Sequence, residues 1–375
     1  MKKKKVFFIS AANSIHTVRW VNSLSNEFEI HLVYCKNHKP NIDNINSKVV
    51  LHELKFNAPY GYYLNVMELR KLYKEIKPDV INVHYASGYG TLVRRAKIKP
   101  VLLSVWGSDV YDFPNESKLK KKILQKNVMF ADEIASTSNV MAKELKRQIP
   151  TLKKDIYITP FGVDIEKFKK LEVKREGNDF NIGNIKKLEK KYGIEYLILG
   201  VEKLIRKLEK EGDNKTSKAI KLYIYGDGSQ KQELDDMILE HGLENNIFLM
   251  GRIANDLVPE KLSQLDVFCA PSILNSESFG VAVVEAMACE VPVIASNVDG
   301  FTEVMVNNET GYIIEKKNSD KIAEALEKLL KDKEQRIKFG KNGRKRVIEN
   351  YNWEDNVKKM EEIYTRMEKN KWITL

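Results

Sequence analysis

Short runs of β-branched and other apolar residues alternate with amphipathic stretches such as TVRWVNSLSNEF along most of the chain. This alternation constrains the fold more than any other feature, because it is typical of parallel strands connected by covering helices. We therefore predict an α/β protein with two doubly wound domains that face a central cleft. The predicted strands are VFFIS, IHLVY, VVLHEL, DVINVH, VLLSV, EIAST and IYITP in the first domain, and FNIGNI, KLYIYG, NIFLMG, DVFCAP, VPVIAS and GYIIE in the second.

A length of 375 residues suits two domains of ordinary size. The stretch TPFGVDIEKFKKLEVKREGND becomes charged and poorly periodic beyond Phe168, as an interdomain linker does. We expect an N-terminal domain over residues 1–168, a C-terminal domain over 169–350, and a last helix over 351–375 that packs back on the first domain. Ligands of doubly wound sheets bind beyond the carboxyl ends of the strands, so the cleft is the expected site.

The composition, with 43% hydrophobic and 31% charged residues, is that of a soluble globular protein. No run of about 18 uncharged apolar residues is present, and the apolar run within MKKKKVFFIS is too short for a signal peptide. Cys35, Cys269 and Cys289 lack metal-ligand spacing and suit reduced thiols. We expect a cytoplasmic protein, either free or peripheral on the inner face of a membrane.

The formal net charge of +11 is unevenly distributed: residues 1–170 hold 30 Lys and Arg against 16 Asp and Glu, whereas residues 171–375 hold 33 against 36 and are nearly neutral. A basic face predicts an anionic partner, whether phosphate, an acidic membrane surface or nucleic acid. A general lysine bias would produce the same excess. A basic nucleic-acid-binding protein is the weaker alternative, because interleaved aromatic residues and a known reader motif are lacking.

The stretch SESFGVAVVEAMACEVPVIAS places Glu277 and Glu285 around Gly280 in an apolar run. If VFCAPS is a strand, Gly280 opens the next helix, whose N-terminus carries about half a positive charge and suits a diphosphate. Eight helical residues rise ~12 Å, which is too long for a hydrolytic carboxylate pair. The spacing suits a sugar nucleotide, with hydroxyl groups at both ends of the diphosphate. Either glutamate could instead be an ordinary loop or helix-surface residue.

This segment resembles the E-x7-E signature of the GT-B glycosyltransferases of retaining family 4 (group 1). TPFGVDIEKF is similar to the stretch that ends that family's first domain, with Phe161 at the usual Asn position. The resemblance implies two Rossmann-like domains, with Glu277 at the donor hexose and Glu285 at the ribose. It also implies further donor contacts: the backbone N–H groups of Phe279, Gly280 and Val281 at the diphosphate, Gly226 and Gly228 of YIYGDGSQKQEL beside the nucleotide, and Arg252 with Ile253 of IFLMGRI at the base.

Departure of a nucleoside diphosphate builds negative charge that fixed cations stabilise. The family uses an Arg and a Lys, and in IGNIKKLEKKYGIEYLI the resemblance places Lys186 or Lys187 at the Arg position. Tyr192 stands at the expected Lys position, with Lys191 beside it. These lysines could also form a solvated basic helix start. No Asp-x-Asp motif has a suitable context, so we expect no metal and no cofactor, with a UDP- or GDP-linked sugar as co-substrate.

In the first domain, the resemblance points to loops at strand ends as the acceptor side. The loop after VFFIS departs from the family's Gly-rich pattern and leads to His16, which could polarise a reacting group or only make local contacts. SVWGSDVYDF resembles the family's H-G-x-D loop, with Trp106 at the usual His position. The acceptor-side candidates are Trp106, Ser108, Asp109 and His84, of which His84 could equally be a core histidine.

KLKKKILQKNVMF forms a basic amphipathic surface if it is helical. Such a surface is a candidate for anionic lipid headgroups, and family members often act on lipid-linked acceptors. A plain solvated face is an equal alternative. The lysines concerned are Lys118, Lys120, Lys121, Lys122 and Lys126.

Together these features predict a retaining, metal-independent hexosyltransferase. It would move a sugar from a nucleotide-sugar donor to a hydroxyl of a glycan or lipid-linked acceptor, in cell-surface polysaccharide or glycolipid synthesis. A nucleotide-sugar epimerase shares the two-domain architecture and is the enzymatic alternative. Incubation with the donor alone separates the two, because only an epimerase would convert the sugar unaided.

Overall fold

The computed structural model describes residues 3–173 and 177–373, with side chains as far as residue 367. Its contacts divide the chain into two compact units. The first runs to Phe161 and resumes at Glu354, and the second comprises Gly162–Trp353. The break therefore lies after Phe161 rather than at the expected Phe168, and the last helix is part of the first unit. Residues 174–176 of the expected linker, 1–2 of the basic start and 374–375 of the last helix lie outside the described residues.

The first unit contains a seven-stranded sheet whose neighbouring strands are all parallel. Its strands are β1 (Lys5–Ile9), β2 (Glu29–Cys35), β3 (Val50–Leu54), β4 (Val80–His84), β5 (Val101–Val105), β6 (Glu133–Ser136) and β7 (Ile156–Ile158). They are ordered β3-β2-β1-β4-β5-β6-β7. The winding of the chain therefore reverses between β1 and β4, which makes this pair the switch point of the sheet.

Helices on both faces cover this sheet, as a parallel sheet requires. They are α1 (Ile15–Leu24), α2 (Gly61–Leu64), α3 (Val66–Ile76), α4 (Gly88–Ala96), α5 (Ser108–Tyr111), α6 (Lys118–Phe130) and α7 (Asn139–Gln148), with short 3₁₀ helices at Lys36–His38, Ile42–Asn44 and Phe113–Asn115. Phe7, Val33 and Leu103 of the strands pack with Leu92 and Leu124 of the helices in one buried core.

The second unit contains a six-stranded sheet, again with all neighbouring strands parallel. Its strands are β8 (Phe180–Ile185), β9 (Ile220–Tyr225), β10 (Ile247–Gly251), β11 (Val267–Ala270), β12 (Val293–Ser296) and β13 (Gly311–Ile314). They are ordered β10-β9-β8-β11-β12-β13. The switch point here lies between β8 and β11, and it is the counterpart of the β1/β4 switch point in the first unit.

The helices of the second unit are α8 (Ile194–Lys210), α9 (Asn214–Ala219), α10 (Lys231–Glu240), α11 (Val258–Ser263), α12 (Val281–Ala288), α13 (Asp299–Val304), α14 (Ser319–Lys331) and α15 (Lys333–Asn350), with 3₁₀ helices at Lys190–Tyr192 and Asn255–Leu257. The final helix, α16 (Trp353–Ile373), packs on the first unit. Its Tyr364 is fully buried, and the ring centroids of Tyr364 and Phe28 are 5.4 Å apart.

The predicted α/β class is confirmed, and each of the thirteen predicted runs overlaps a parallel strand. Inner strands such as β4 and β5 are recognisable because they are buried on both faces and so appear as apolar runs, whereas the edge strand β3 is only partly buried and includes His52 and Glu53. Over the described residues, no helix combines the length and apolar character needed to cross a membrane.

Candidate active site

Two loops meet at the carboxyl ends of β8 and β11, the switch point of the second sheet. The loop after β8 begins at Lys186, and the loop after β11 begins at Pro271 and ends at Gly280, before α12. The N–H of Ile273 donates to the carbonyl oxygen of Lys191 across 2.9 Å and joins the two loops. The strand order therefore brings together two stretches that lie far apart in the sequence.

Lys186 and Glu277 form an ion pair at this position. The Nζ atom of Lys186 lies 2.6 Å from Oε2 of Glu277, and the two side chains are only 24% and 13% exposed. Burial by itself would lower the pKa of Lys186, but attraction to Glu277, Tyr192 and Glu285 outweighs burial, and the pKa is raised. The lysine is therefore held as a cation beside a carboxylate in a partly dehydrated site, where charges act more strongly than in water.

The aromatic ring of Tyr192 organises the lysines of this loop. Its centroid lies 4.7 Å from Nζ of Lys186 and 5.0 Å from Nζ of Lys191. Lys191 also pairs with Glu189, at 3.3 Å. The side chain of Lys187 is exposed to solvent. Of the three predicted lysines, the structure thus brings Lys186 against Glu277, places Lys191 on the same ring and directs Lys187 away.

Gly280 begins the helix α12, as predicted, with a φ angle of 82°. This left-handed conformation favours glycine, and a Cβ atom here would lie 2.6 Å from the ring of Phe301. No side chain caps α12, although the first N–H groups of a helix have no intrahelical partner. The first turn, which begins at Val281, is therefore a suitable seat for an anionic group.

The residues on either side of this turn are fixed by packing. Phe279 is buried, and the centroid of its ring lies 5.5 Å from that of Tyr351. Glu285 lies one turn further along α12, and its negative charge helps to raise the pKa of Lys186. The two predicted glutamates thus act on the same cation, Glu277 directly and Glu285 through its field.

Gly226 and Gly228 pack directly against the backbone of the loop that begins at Lys186. A Cβ atom on Gly226 would lie 1.8 Å from the carbonyl oxygen of Lys186, and one on Gly228 would lie 2.3 Å from that of Leu188. The N–H of Leu188 donates to the carbonyl oxygen of Asp227 across 3.1 Å. These glycines therefore allow two backbones to pack closely and set the position of Lys186.

The segment after β10 carries the two residues predicted at the base. The side chain of Arg252 is 84% exposed and pairs with Asp227, with 3.2 Å between Nε and Oδ2. Ile253 is half-buried. Asp227 belongs to the turn that holds the Lys186 loop, so Arg252 is tied to the same part of the second unit.

The switch point of the first unit, between β1 and β4, is lined by aromatic rings. His16 stacks on Phe161 with ring centroids 3.9 Å apart. Trp106 meets Phe161 edge-on at 5.2 Å and lies 5.0 Å from the ring of Tyr85. His16 is half-buried, so this cluster offers apolar ring surface with one imidazole.

Two of the predicted acceptor-side residues, Asp109 and His84, are buried and have structural surroundings instead. The Asp109 carboxylate is buried and accepts hydrogen bonds from the N–H groups of Ala86, Trp106 and Gly107, at 2.8, 3.1 and 2.9 Å. Its oxygens are thus committed to joining two loops rather than to a ligand. The neighbouring Ser108 is exposed.

His84 is also buried, and its ring lies 4.4 Å, centroid to centroid, from both Phe8 and Trp106. Neither ring nitrogen has a hydrogen-bond partner in the described part of the chain. Burial, with a smaller effect of His16, lowers the pKa of His84 well below its ordinary value. His84 is therefore a neutral core residue beneath Trp106, as the alternative interpretation of the sequence held.

Solved structures show the same architecture over nearly the whole chain. A sucrose-phosphate synthase from Thermosynechococcus elongatus has a TM-score of 0.81 at 18% identity, covering 97% of this chain and 99% of that one. The HepE protein of Anabaena, solved with UDP-glucose, has a TM-score of 0.73 at 16% identity, covering 96% and 99%. At these identities the likeness shows the fold alone.

Two family models match the sequence itself. Glycosyl transferase 4-like matches residues 5–138, and Glycosyl transferases group 1 matches residues 164–346. The chain belongs to the group 1 glycosyltransferases. Its fold is accordingly the GT-B fold, as the resemblance implied. Among similar sequences, the capsular polysaccharide biosynthesis glycosyltransferase CapM of Staphylococcus aureus is 27% identical, covering 95% of this chain and 96% of its own.

In this glycosyltransferase, sequence reasoning missed the part that Phe161 and Tyr192 take in the two switch points. In the sequence, both are visible only as departures from the family pattern. Such a departure was the available signal, because a ring in place of a polar or charged residue changes what its neighbours can contact. Phe161 stacks with His16, and Tyr192 gathers Lys186 and Lys191.

No group of three or more His, Cys, Asp or Glu side chains within the described ranges is arranged to hold a metal ion. The expectation of transfer without a metal stays a prediction for this glycosyltransferase.

Proposed function

We propose that this glycosyltransferase transfers a hexose, with retention at the anomeric carbon and without a metal, from a nucleotide-sugar donor to a hydroxyl of a glycan or lipid-linked acceptor. The observation that carries the proposal is the ion pair of Lys186 and Glu277, 2.6 Å apart, beside the uncapped N-terminus of α12. This arrangement offers a cation and backbone donors to a diphosphate and a carboxylate to sugar hydroxyls.

The donor would bind in the second unit. Its diphosphate would lie at the first turn of α12, next to Lys186, and Glu277 would accept hydrogen bonds from hexose hydroxyls. Glu285 would hold the ribose in the same way. Lys186 is kept protonated by its carboxylate neighbours, so it is ready to stabilise the negative charge that develops on the leaving phosphate oxygen.

The chemical step then needs little beyond positioning and charge stabilisation. The acceptor hydroxyl oxygen forms a bond to the anomeric carbon as the bond from that carbon to the diphosphate oxygen breaks. The hydroxyl proton passes to the departing oxygen on the same face of the sugar. The family resemblance supports this retaining course. It agrees with a site whose carboxylate Glu277 is paired with a cation.

Relatives favour UDP-linked donors and cell-surface polysaccharide as the setting. HepE of Anabaena was solved with UDP-glucose, and CapM acts in capsular polysaccharide biosynthesis. A GDP-linked donor is the alternative. Thermal stabilisation by UDP-, GDP- and ADP-sugars distinguishes these, because a ligand that binds only the folded protein raises the melting temperature.

The decisive experiment compares Glu277→Gln with Glu244→Gln, a matched change of an exposed carboxylate in the same unit. We expect Glu277→Gln to reduce transfer by about a hundredfold or more and to lower the melting temperature, because Lys186 loses its carboxylate partner in a partly buried site. Transfer is therefore compared at a temperature where both variants are folded, and Glu244→Gln should retain full activity. Wild-type turnover in Glu277→Gln would refute the donor-site assignment. Conversion of the donor sugar without any acceptor would instead identify an epimerase.

A further inference from the structure

An unusual concentration of exposed apolar side chains lies on α2 and the start of α3 in the first unit. Tyr60, Tyr63, Leu64 and Met67 are 76%, 47%, 57% and 70% exposed. Tyr60 immediately precedes α2, Tyr63 and Leu64 lie on α2, and Met67 lies on the first turn of α3, so all four belong to one short segment of the chain. We call these four residues the α2–α3 stripe. Exposed apolar residues are normal when they are single, but a contiguous group indicates an interaction surface.

The stripe is part of a firmly built segment. Asn65, between α2 and α3, is fully buried. It donates to the carbonyl oxygen of Phe56 at 3.0 Å and accepts from the N–H of Phe56 at 3.0 Å. A Cβ atom on Gly61 would lie 2.4 Å from that same carbonyl oxygen. The segment is thus pinned from within while its outer face keeps large apolar side chains in solvent.

Cations surround the stripe and touch it. The guanidinium of Arg95 lies 5.2 Å from the ring centroid of Tyr63, and Nη1 of Arg70 lies 3.7 Å from Sδ of Met67. Lys71 and Lys74 are exposed and continue the helical face beyond Met67. Two carboxylates of α3 offset part of this charge: Glu75, 3.9 Å from Lys71, and Glu68, which accepts from the N–H of Lys55. Apolar side chains with a basic border match the interface of an anionic bilayer, where tyrosines lie at headgroup depth and cations bind acidic lipids.

The helix α6, which the sequence offered as the lipid-facing surface, is a weaker match. Its apolar residues Leu124 and Val128 are buried in the core. Its exposed apolar residues, Leu119 and Met129, stand at opposite ends of the helix. The exposed face between them is basic, with Lys121, Lys122 and Lys126, and lacks apolar groups that could enter a membrane.

We propose that the α2–α3 stripe, bordered by Arg70, Arg95, Lys71 and Lys74, docks this glycosyltransferase on an anionic lipid bilayer. The stripe would enter the headgroup region while the cations bind acidic lipid headgroups. The proposal rests on the proposed function only for the lipid-linked nature of the acceptor. The surface itself is defined by its own side chains and does not include the Lys186–Glu277 pair.

Vesicle binding by the full chain tests the proposal. Vesicles of phosphatidylcholine with phosphatidylglycerol, and of phosphatidylcholine alone, are sedimented with wild-type protein, Leu64→Ser/Met67→Ser, and the matched control Lys121→Gln/Lys122→Gln on α6. We expect wild-type binding to the anionic vesicles only. The stripe variant should bind them at least about tenfold more weakly, while the α6 control binds like wild type. All replaced residues are exposed, so the melting temperatures should agree.

Absence of wild-type binding, or equal binding by the stripe variant, would overturn the proposal. A dimeric wild-type protein and a monomeric Leu64→Ser/Met67→Ser variant would also overturn the proposal. The stripe would then bind a second copy of the chain rather than a membrane. Stabilisation of each variant by UDP-glucose is measured in parallel. Failure of donor stabilisation with intact vesicle binding would count against the proposed function and leave the docking surface standing.

Discussion

The two units share one topology at their switch points but present different chemistry there. In the second unit, the strand ends of β8 and β11 carry the ion pair of Lys186 and Glu277 and lead to the uncapped helix α12. In the first unit, the segments after β1 and β5 carry the rings of His16 and Trp106, which both contact Phe161. The carboxylate of Asp109, also after β5, accepts hydrogen bonds from three backbone N–H groups.

The difference shows that a switch point supplies a location and the loops supply the function. A fixed cation and a helix N-terminus suit a charged, departing diphosphate, whereas ring surface suits the faces of sugar rings or other less charged groups. The two carboxylates illustrate this contrast. Glu277 holds a cation that the reaction can use, and Asp109 holds two loops together.

The largest expected effect comes from removing the cation of the second switch point. Lys186→Gln should lower kcat by about 10²–10³-fold, because one preorganised charge at the leaving group is lost. The matched variant Lys187→Gln replaces an exposed neighbour and should stay close to wild type. Single-turnover kinetics measure both. Similar losses in the two variants would mean that the loop supplies only a general basic charge, and the contrast between the units would weaken.

A smaller effect, on stability rather than on turnover, is expected in the first unit. In Asp109→Asn an amide N–H₂ would face the N–H of Ala86, which now donates to Oδ2 at 2.8 Å. The free energy of unfolding should fall by about 1–3 kcal/mol, because a buried donor loses its acceptor.

Urea denaturation measures this change, and steady-state kinetics of the folded variant provide the control. The KM for the donor should be unchanged. A kinetic defect at full stability would contradict the structural role of Asp109 and place a working carboxylate in each switch point.

The smallest effect concerns pH. Burial lowers the pKa of His84 well below 6.5, so below about pH 6.5 the unfolded chain binds a proton that the folded chain excludes. The stabilising contribution is present above pH 6.5 and is lost on acidification. His84→Phe should reduce this pH dependence by at most about 1.4 kcal/mol per pH unit. His38 and His52, whose pKa values burial also lowers, will leave a residual slope.

Thermal unfolding of wild type and His84→Phe between pH 5 and 7 measures the slope. His16 is the titratable side chain that acts on His84, and His16→Gln is the control for its contribution. An unchanged slope in His84→Phe would show that His84 takes up its proton equally in the folded and the unfolded chain. The first switch point would then contain a buried charge at acid pH, and the contrast with the second would weaken.

Much of this protein could be predicted from the order of its residues. The runs that form the inner strands are recognisable because both of their faces are covered. The turn before α12 is recognisable because Gly280 permits a left-handed backbone that other residues disfavour. The E-x7-E pattern also indicates that Glu277 and Glu285 lie near that turn, because both are close to Gly280 in the sequence.

Only the tertiary structure decided which of these side chains meet. Lys186 and Glu277 follow different strands, and they come within 2.6 Å of each other because β8 and β11 are adjacent in the sheet. Lys187, which follows Lys186 in the sequence, is exposed to solvent. Likewise, burial made Asp109 and His84 structural, and the packing of α2 and α3 against α4 left apolar side chains outside. Periodicity and turn chemistry act over a few residues and are written in the sequence, whereas ion pairing and burial depend on neighbours that only the fold supplies.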